Sequence, residues 1–168
     1  MTSLRLIVVS VLAACGLVVI TPSTSYACSC AVTTTEEQVK GADAVFVGTL
    51  VGREPPPRRQ VMSSSDPNTY TFHVQQSLEG QTGPTTVVES AMSGASCGWE
   101  GMRIGEQYVV FVTGGHPTWY GSLCGGTRVA NDVAIAEVAE ITGAGPVRQP
   151  PDLSALLASF RVVLHALY

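Results

Sequence analysis

Apolar residues between positions 44 and 123 fall into five short segments with the patterns of β-strands. Residues 44–51 are rich in β-branched and apolar side chains on both faces, which predicts a buried strand with a bulge or bend at Gly48. Tyr70, Phe72 and Val74 alternate with polar residues, which predicts a half-buried strand ending near Gly80. Three further strands are predicted between glycine-rich turns, at residues 85–91, 107–113 and 119–123. Five short strands favour a small closed barrel.

A short helix is predicted before the first strand. Thr33 or Thr34 can act as its N-cap, and Glu36 or Glu37 follows three residues later, which is the signature of a capping box. The helix is expected to end near Gly41, because glycine commonly follows the last helical turn.

The first two predicted strands are separated by residues 55–69, which are rich in proline, arginine and serine. Pro55-Pro56-Pro57 ends the first strand, and Asp66-Pro67-Asn68 is a turn sequence. This composition predicts a long polar loop without regular structure. Loops of this length commonly carry contacts or are disordered.

The pattern changes to helical spacing after Thr127. A helix over residues 131–142 is predicted to begin at Asn131 or Asp132 and to end at Gly143. Residues 143–151 form a predicted linker, and residues 152–168 a C-terminal amphipathic helix that packs on the barrel or on a partner. The expected buried face of the first of these helices consists of Ala134, Val138 and Ile141.

The first 27 residues predict a signal peptide. Arg5 precedes an apolar run over residues 6–20, which is too short to span a bilayer, and residues 25–27 form a small-x-small cleavage pattern. Cleavage after Ala27 predicts a secreted, extracellular protein that begins at Cys28. The alternative is a lipoprotein anchored at the cell surface through a lipidated Cys15, but residues 16–20 stay apolar where a lipoprotein normally turns polar.

The remaining 141 residues (168 − 27) fit one domain, expected over residues 28–142. Without Arg5 the chain has 8 basic residues (9 − 1) against 13 acidic ones, a net charge of −5. An acidic chain without a basic patch argues against a nucleic-acid partner. We expect a monomer that does not bind membranes unless Cys15 is lipidated.

No convincing constellation for enzyme chemistry is found. The three histidines, His73, His116 and His165, are accompanied by no Cys-x-x-Cys or His-Glu-x-x-His sequence. We therefore expect a protein that is not an enzyme, with no catalytic residues and no intrinsic cofactor.

Four cysteines remain after cleavage: Cys28, Cys30, Cys97 and Cys124. In an exported chain an even number predicts two disulfides. A bridge between Cys28 and Cys30 would close too tight a ring, so each is expected to pair with a distant cysteine. Two pairings remain open. A Cys-x-Cys sequence can also bind a soft metal ion, but export favours a structural role.

The order and spacing of these cysteines resemble those of the inhibitory domain of the tissue inhibitors of metalloproteinases, within the netrin-like modules. The resemblance covers residues 28–129 and implies a five-stranded Greek-key OB barrel with flanking helices and a disulfide-fastened N-terminus. It also implies the bridges Cys28 to Cys97 and Cys30 to Cys124. The matching motifs are Cys28-Ser29-Cys30, Phe46-Val47-Gly48, Leu78-Glu79-Gly80, residues 93–98 and Leu123-Cys124.

The resemblance further implies a metalloprotease inhibitor. In that family the N-terminal cysteine chelates the catalytic zinc of the protease through its α-amine and carbonyl oxygen, which makes Cys28 the zinc-binding residue here. The zinc belongs to the target protease. Ser29 is implied to enter the specificity pocket, beside the connector formed by residues 93–98. The implied inhibitory ridge beside Cys28 consists of Ser29, Cys30, Ser93, Ala95 and Ser96.

The chain departs from the animal members of the family in three respects. Residues 31–34 contain no proline, and the further bridge of the inhibitory domain and the cysteine-rich second domain are missing. The alternative function is therefore a netrin-like extracellular binding module without inhibitory activity. A third reading is an extracytoplasmic carrier that binds copper or zinc through its thiols.

Overall fold

The structure is a computed structural model that describes residues 28–145. The predicted leader with Cys15, most of the predicted linker and the predicted helix 152–168 lie outside the described residues. The elements follow one another as α1 (Thr35–Gly41), β1 (Ala44–Glu54), β2 (Pro67–Glu79), β3 (Thr85–Ala91), a 3-10 helix (Gly94–Ser96), β4 (Gln107–Gly115), β5 (Thr118–Tyr120), β6 (Arg128–Val129) and α2 (Asp132–Thr142).

Five strands close into a barrel. β1 pairs antiparallel with β2, and β2 pairs antiparallel with β3. A parallel pairing joins β3 to β5, and β4 then pairs antiparallel with both β5 and β1. The order β1-β2-β3-β5-β4-β1 is that of an OB-like barrel. The predicted fold, a mostly β barrel with flanking helices and disulfides near its first residues, is confirmed.

β1 is apolar on both faces because each face packs against a different layer. Phe46 and Leu50 point into the barrel, whereas Val45 and Val47 pack outside it against the helices. The pairing of β1 with β2 shifts register beside Gly48. A Cβ at Gly48 would lie 3.0 Å from the ring of Phe46, so the absence of a side chain also allows this ring to pack close to the strand.

The two helices close one side of the barrel. Thr34 is the N-cap of α1 and forms the predicted capping box with Glu37. Asn131 caps α2, which ends at Gly143 in the left-handed conformation. On α2, Ala134 and Val138 are buried as predicted. Ile141 was expected on this face but is 38% exposed, because the buried stripe of α2 runs from Ala134 and Val138 through the half-buried Ala139 and Thr142 instead.

Strand boundaries in β2 and β5 differ from the prediction. β2 begins at Pro67, opposite Ala91 of β3, so the loop between β1 and β2 is 55–66 and not 55–69. Proline is tolerated there because the first residue of a strand need not donate to the ladder. β5 ends at Tyr120 and not Leu123, because the chain then turns away and the Gly121 N–H donates to the Glu89 carbonyl at 2.8 Å.

The short strand β6 was not predicted. It pairs with β4 at Tyr108 and Val109, and its two residues are too few to show a period. Among residues 28–145, no helix is long and apolar enough to cross a membrane.

Candidate functional site

Two disulfides fasten the first described residues to the barrel. Cys28 is bonded to Cys97 with their Cα atoms 5.3 Å apart, and Cys30 to Cys124 with their Cα atoms 5.2 Å apart. The bridges span 69 and 94 residues. This is the pairing that the family resemblance implied, and one of the two that the sequence left open. Between the two bonded cysteines, Ser29 is exposed to solvent.

The connector, residues 93–98, is a compact turn that presents Cys97. The side chain of Ser93 accepts a hydrogen bond from the Ala95 N–H at 3.2 Å and begins the 3-10 helix. The N–H groups of Cys97 and Gly98 donate to the carbonyls of Gly94 and Ser93, both at 3.0 Å. Cys97 adopts a left-handed φ of 58°, which is uncommon for a residue with a side chain. The disulfide and these bonds together hold it there.

Two residues outside the connector, Glu100 close in sequence and Ser64 distant in sequence, support it. The Gly94 N–H donates to the Glu100 carboxylate at 2.6 Å. The hydroxyl groups of Ser64 and Ser96 lie 2.7 Å apart, and the Ser93 N–H donates to the Ser64 carbonyl at 3.3 Å. The last turn of the loop 55–66 therefore packs on the connector. Sequence reasoning did not identify Ser64 or Glu100 as supports, since neither belongs to a motif.

Trp99 joins the connector to the barrel and to the loop that carries Cys124. It is 3% exposed, and its main-chain N–H donates to the Ser90 hydroxyl at 3.0 Å. Its indole N–H donates to the Ser122 carbonyl at 3.0 Å, and its carbonyl accepts from the Tyr70 hydroxyl at 3.1 Å. A Cβ at Gly121 would lie 2.1 Å from the indole ring, so this loop approaches the ring as only glycine allows.

The two cysteines of the barrel lie on adjacent loops. The Leu123 N–H donates to the Cys97 carbonyl at 2.8 Å, and the Cys124 N–H donates to the Ser122 hydroxyl at 3.3 Å. One hydrogen-bonded unit thus holds Cys97 and Cys124, the two cysteines to which residues 28–30, the terminal segment, are bonded.

The predicted ridge residues differ in exposure. Ser29, Cys30 and Ala95 are exposed, whereas Cys28, Ser93 and Ser96 are half-buried. The first disulfide joins Cys28 to the connector, as the predicted ridge requires. The second bridge instead joins Cys30 to Cys124 on the neighbouring loop.

The Sγ atoms of Cys28, Cys97 and Cys124 lie within 4.8 Å of one another. Each of these sulfurs belongs to a disulfide. A thiolate is the form of cysteine that binds metal ions, so the oxidised cluster offers no thiolate ligand. The third reading, a carrier for copper or zinc, would need a reduced chain.

A cleft of about 370 Å³ lies beside Trp99 and Leu123. Tyr108 is among its lining residues, and its hydroxyl donates to the Glu106 carboxylate at 2.7 Å and accepts from the Arg103 N–H at 2.8 Å. Burial, together with the hydrogen bond to Glu106, raises the pKa of Tyr108, and the Arg103 N–H opposes that rise. Tyr108 is therefore a neutral hydroxyl at physiological pH.

A second concavity, of about 200 Å³, lies between α1 and β4. Thr33, Gly41, Phe111, Tyr120 and Cys124 are among its lining residues, so it borders the Cys30–Cys124 bridge. The histidines of the described chain contribute to neither concavity, because His73 and His116 are exposed elsewhere on the surface.

A comparison with protein-family models finds no matching family, and a comparison with curated proteins finds no matching sequence. The function is therefore inferred from the residues and contacts of this chain.

Proposed function

We propose that this protein is a secreted metalloprotease inhibitor of the kind that the tissue inhibitors of metalloproteinases represent. After cleavage behind Ala27, the α-amine and the carbonyl oxygen of Cys28 chelate the catalytic zinc of the target enzyme. A catalytic zinc keeps one coordination position for water, and occupying that position removes the nucleophile.

The observation that carries the proposal is the double fastening of a three-residue segment. Cys28 and Cys30 are both bonded to the barrel, and Ser29 is the one residue between them. A segment held at both ends loses little conformational freedom on binding, so more of the interaction energy appears as affinity. One disulfide would be enough to attach this segment to the barrel, whereas two disulfides also fix its conformation.

The chemistry follows from the position of Cys28 in the processed chain. Its α-amine nitrogen and its own carbonyl oxygen form a five-membered ring with a metal ion. The side chain cannot compete for the zinc, because its sulfur is bonded to Cys97. Ser29 is exposed next to this chelate and is proposed to enter the pocket beside the zinc.

The two disulfides support the proposed extracellular location. Disulfides persist in oxidising compartments and are rare in the cytosol. Both bridges join residues far apart in sequence, so the chain must be oxidised for the terminal segment to stay on the barrel.

The decisive experiment compares the processed protein beginning at Cys28 with a variant that has one extra alanine before Cys28. The extra residue converts the amine to an amide, which has no lone pair for zinc, and leaves both disulfides in place. We expect inhibition of at least one zinc endopeptidase by the processed protein, its loss in the extended variant, and equal melting temperatures. Equal inhibition by the two forms would refute chelation.

The alternative is a netrin-like binding module, and the concavity between α1 and β4 favours it. That surface is formed by residues that do not include Cys28, so binding there needs no free amine. If the processed protein inhibits no zinc endopeptidase in a broad panel, the binding module becomes the better proposal.

A further inference from the structure

The loop 55–66 carries two adjacent arginines on an exposed stretch of chain. Arg58, Arg59, Gln60 and Val61 are all exposed. Among the described residues, the main chain of 58–61 makes one hydrogen bond, from the Arg59 N–H to the Met62 sulfur at 3.4 Å. An endoprotease requires several extended residues whose main-chain groups are free to pair with its cleft, and these residues meet that requirement.

The two ends of this loop are restrained. Prolines at 55–57 favour an extended conformation just before the arginines. On the other side, the Ser63 N–H donates to the Asp66 carboxylate at 2.8 Å, and Ser64 is bonded to the connector. The accessible stretch is therefore confined to the residues between Pro57 and Ser63.

We propose that the Arg59–Gln60 peptide bond is a processing site for endoproteases that recognise arginine. Such enzymes bind the guanidinium group of the residue before the cut in an acidic pocket. Water adds across the bond, leaving a carboxylate on Arg59 and a new amine on Gln60.

The other basic residues within 28–145 are held in structure. Lys40 lies in α1 and pairs with Glu36 at 2.7 Å. Arg53 belongs to β1 and lies 5.6 Å from the centre of the Tyr70 ring.

Two more arginines are held by hydrogen bonds, Arg103 through its main chain and Arg128 through its side chain. The Arg103 N–H donates to the Tyr108 hydroxyl, and the Arg128 guanidinium donates to the Gly126 carbonyl at 3.1 Å. Arg128 also lies 5.3 Å from the centre of the Phe111 ring. Exposure and scarce main-chain hydrogen bonds, and not the presence of arginine alone, therefore distinguish the proposed site from the other basic residues within 28–145.

Cleavage at this bond yields two chains that stay joined. The first carries Cys28 and Cys30, and the second carries Cys97 and Cys124, so both disulfides cross the cut. β1 also stays paired with β2 on one side and β4 on the other. The product is a two-chain protein in which the terminal segment remains on the barrel.

The test is limited digestion of the processed, oxidised protein with trypsin. We expect one band without reductant and two fragments with reductant, the second beginning at Gln60. Replacing both arginines (Arg58→Gln, Arg59→Gln) should abolish this cut, whereas the matched control Arg103→Gln should retain it. Cuts at Arg148 or Arg161, outside the described residues, shorten the chain end and are distinguished by fragment mass.

A first cut elsewhere within residues 28–145, or fragments that separate without reductant, would overturn the proposal. The melting temperature of the two-chain form gives a second readout, which should show one cooperative transition close to that of the intact protein. An unfolded two-chain product would equally contradict it.

Discussion

The Sγ atoms of Cys28 and Cys124, which belong to different disulfides, lie 3.8 Å apart. The two bridges are therefore in van der Waals contact, and the four cysteines form one compact cluster that fastens residues 28–30. The Cys97 carbonyl also accepts the Leu123 N–H, so the loops that carry the two barrel cysteines cannot separate easily. This contact has a chemical consequence when one cysteine is removed.

The variant Cys30→Ser should exist as a mixture of disulfide isomers. It frees the Cys124 thiol, whose thiolate can attack Cys28, form a Cys28–Cys124 bond and release the Cys97 thiolate. Peptide mapping after incubation above the ordinary thiol pKa of ~8.5 should detect both Cys28–Cys97 and Cys28–Cys124. The double variant Cys30→Ser, Cys124→Ser is the control and should retain only Cys28–Cys97. A single pairing in both variants would contradict the exchange.

The substitution Gly98→Ala should destabilise the connector severely. A Cβ at this position would lie 1.8 Å from the Ala91 carbonyl oxygen, and a main-chain atom cannot move aside as a flexible side chain can. We expect a loss of about 3 kcal/mol in the free energy of unfolding, at the upper end of the usual overpacking range. Denaturation in urea measures it.

The matched control for this change is Gly41→Ala. Gly41 ends α1, and a Cβ there meets no atom within 4 Å. Alanine should change stability by less than about 1 kcal/mol, in the stabilising direction, because it has the higher helix propensity. Equal effects of the two substitutions would mean that the close approach of Gly98 to Ala91 is not restrictive.

Local signals allowed much of the fold to be predicted from the sequence. The capping box of Thr34 and Glu37, the N-cap Asn131 and the stop at Gly143 each depend on residues within a few positions. The double-sided apolar pattern of β1 likewise reflects two cores that touch it directly. Such features are visible in a short window of sequence.

Features that depend on distant partners were not predicted. β6 exists because Arg128 and Val129 pair with β4, and their own sequence has no strand pattern. At the site, the Trp99 indole N–H donates to the Ser122 carbonyl, 23 residues away, and the Ser64 hydroxyl lies against that of Ser96, 32 residues away. Elimination left two cysteine pairings, and only the family resemblance selected between them. Contacts with side chains from across the barrel leave no periodic pattern in the sequence, so they cannot be predicted from it.

Stability should fall at alkaline pH because of Tyr108. Its pKa is raised by burial and by Glu106, so the folded state holds the phenolic proton more tightly than the unfolded state. The free energy of unfolding is unaffected below the ordinary pKa of ~10 and decreases as pH rises from there through the folded pKa. Denaturation curves between neutral and strongly alkaline pH measure the decrease.

Tyr108→Phe should remove the part of this decrease that Tyr108 causes. It should also cost about 1–2 kcal/mol at neutral pH, because the hydrogen bonds to Glu106 and from Arg103 are lost. Tyr120→Phe is the control, since the Tyr120 side chain is 52% exposed. An unchanged alkaline slope in Tyr108→Phe would contradict the assignment.

Substitutions of Ser29 should change which proteases are inhibited without changing stability. Its side chain is exposed between the two bridges, and in the proposed complex it enters the pocket beside the zinc. Ser29→Gly should shift the ranking of target enzymes by removing the pocket contact, and Ser29→Arg should weaken most of them by steric exclusion. Inhibition constants over a panel measure the effect, with Val133→Ala as the control, since Val133 is 78% exposed on α2 and lies outside the implied ridge. An unchanged ranking in both Ser29 variants would show that Ser29 does not contact the protease.

Inhibition should weaken as the pH falls, because zinc binds the neutral α-amine of Cys28. An ordinary α-amino group has a pKa of ~7.7–8.0, and the protonated form has no lone pair to donate. Above this range the amine is already neutral, so affinity should be constant. Below it, each pH unit should lower the affinity about tenfold, since the proton competes with the metal. The inhibition constant, measured across this range and corrected for the pH profile of the protease itself, gives the slope. The variant extended by one alanine is the control, and any residual binding that it retains should lack this slope. A pH-independent inhibition constant for the processed protein would refute zinc binding through the amine, even if the protein proved to be an inhibitor.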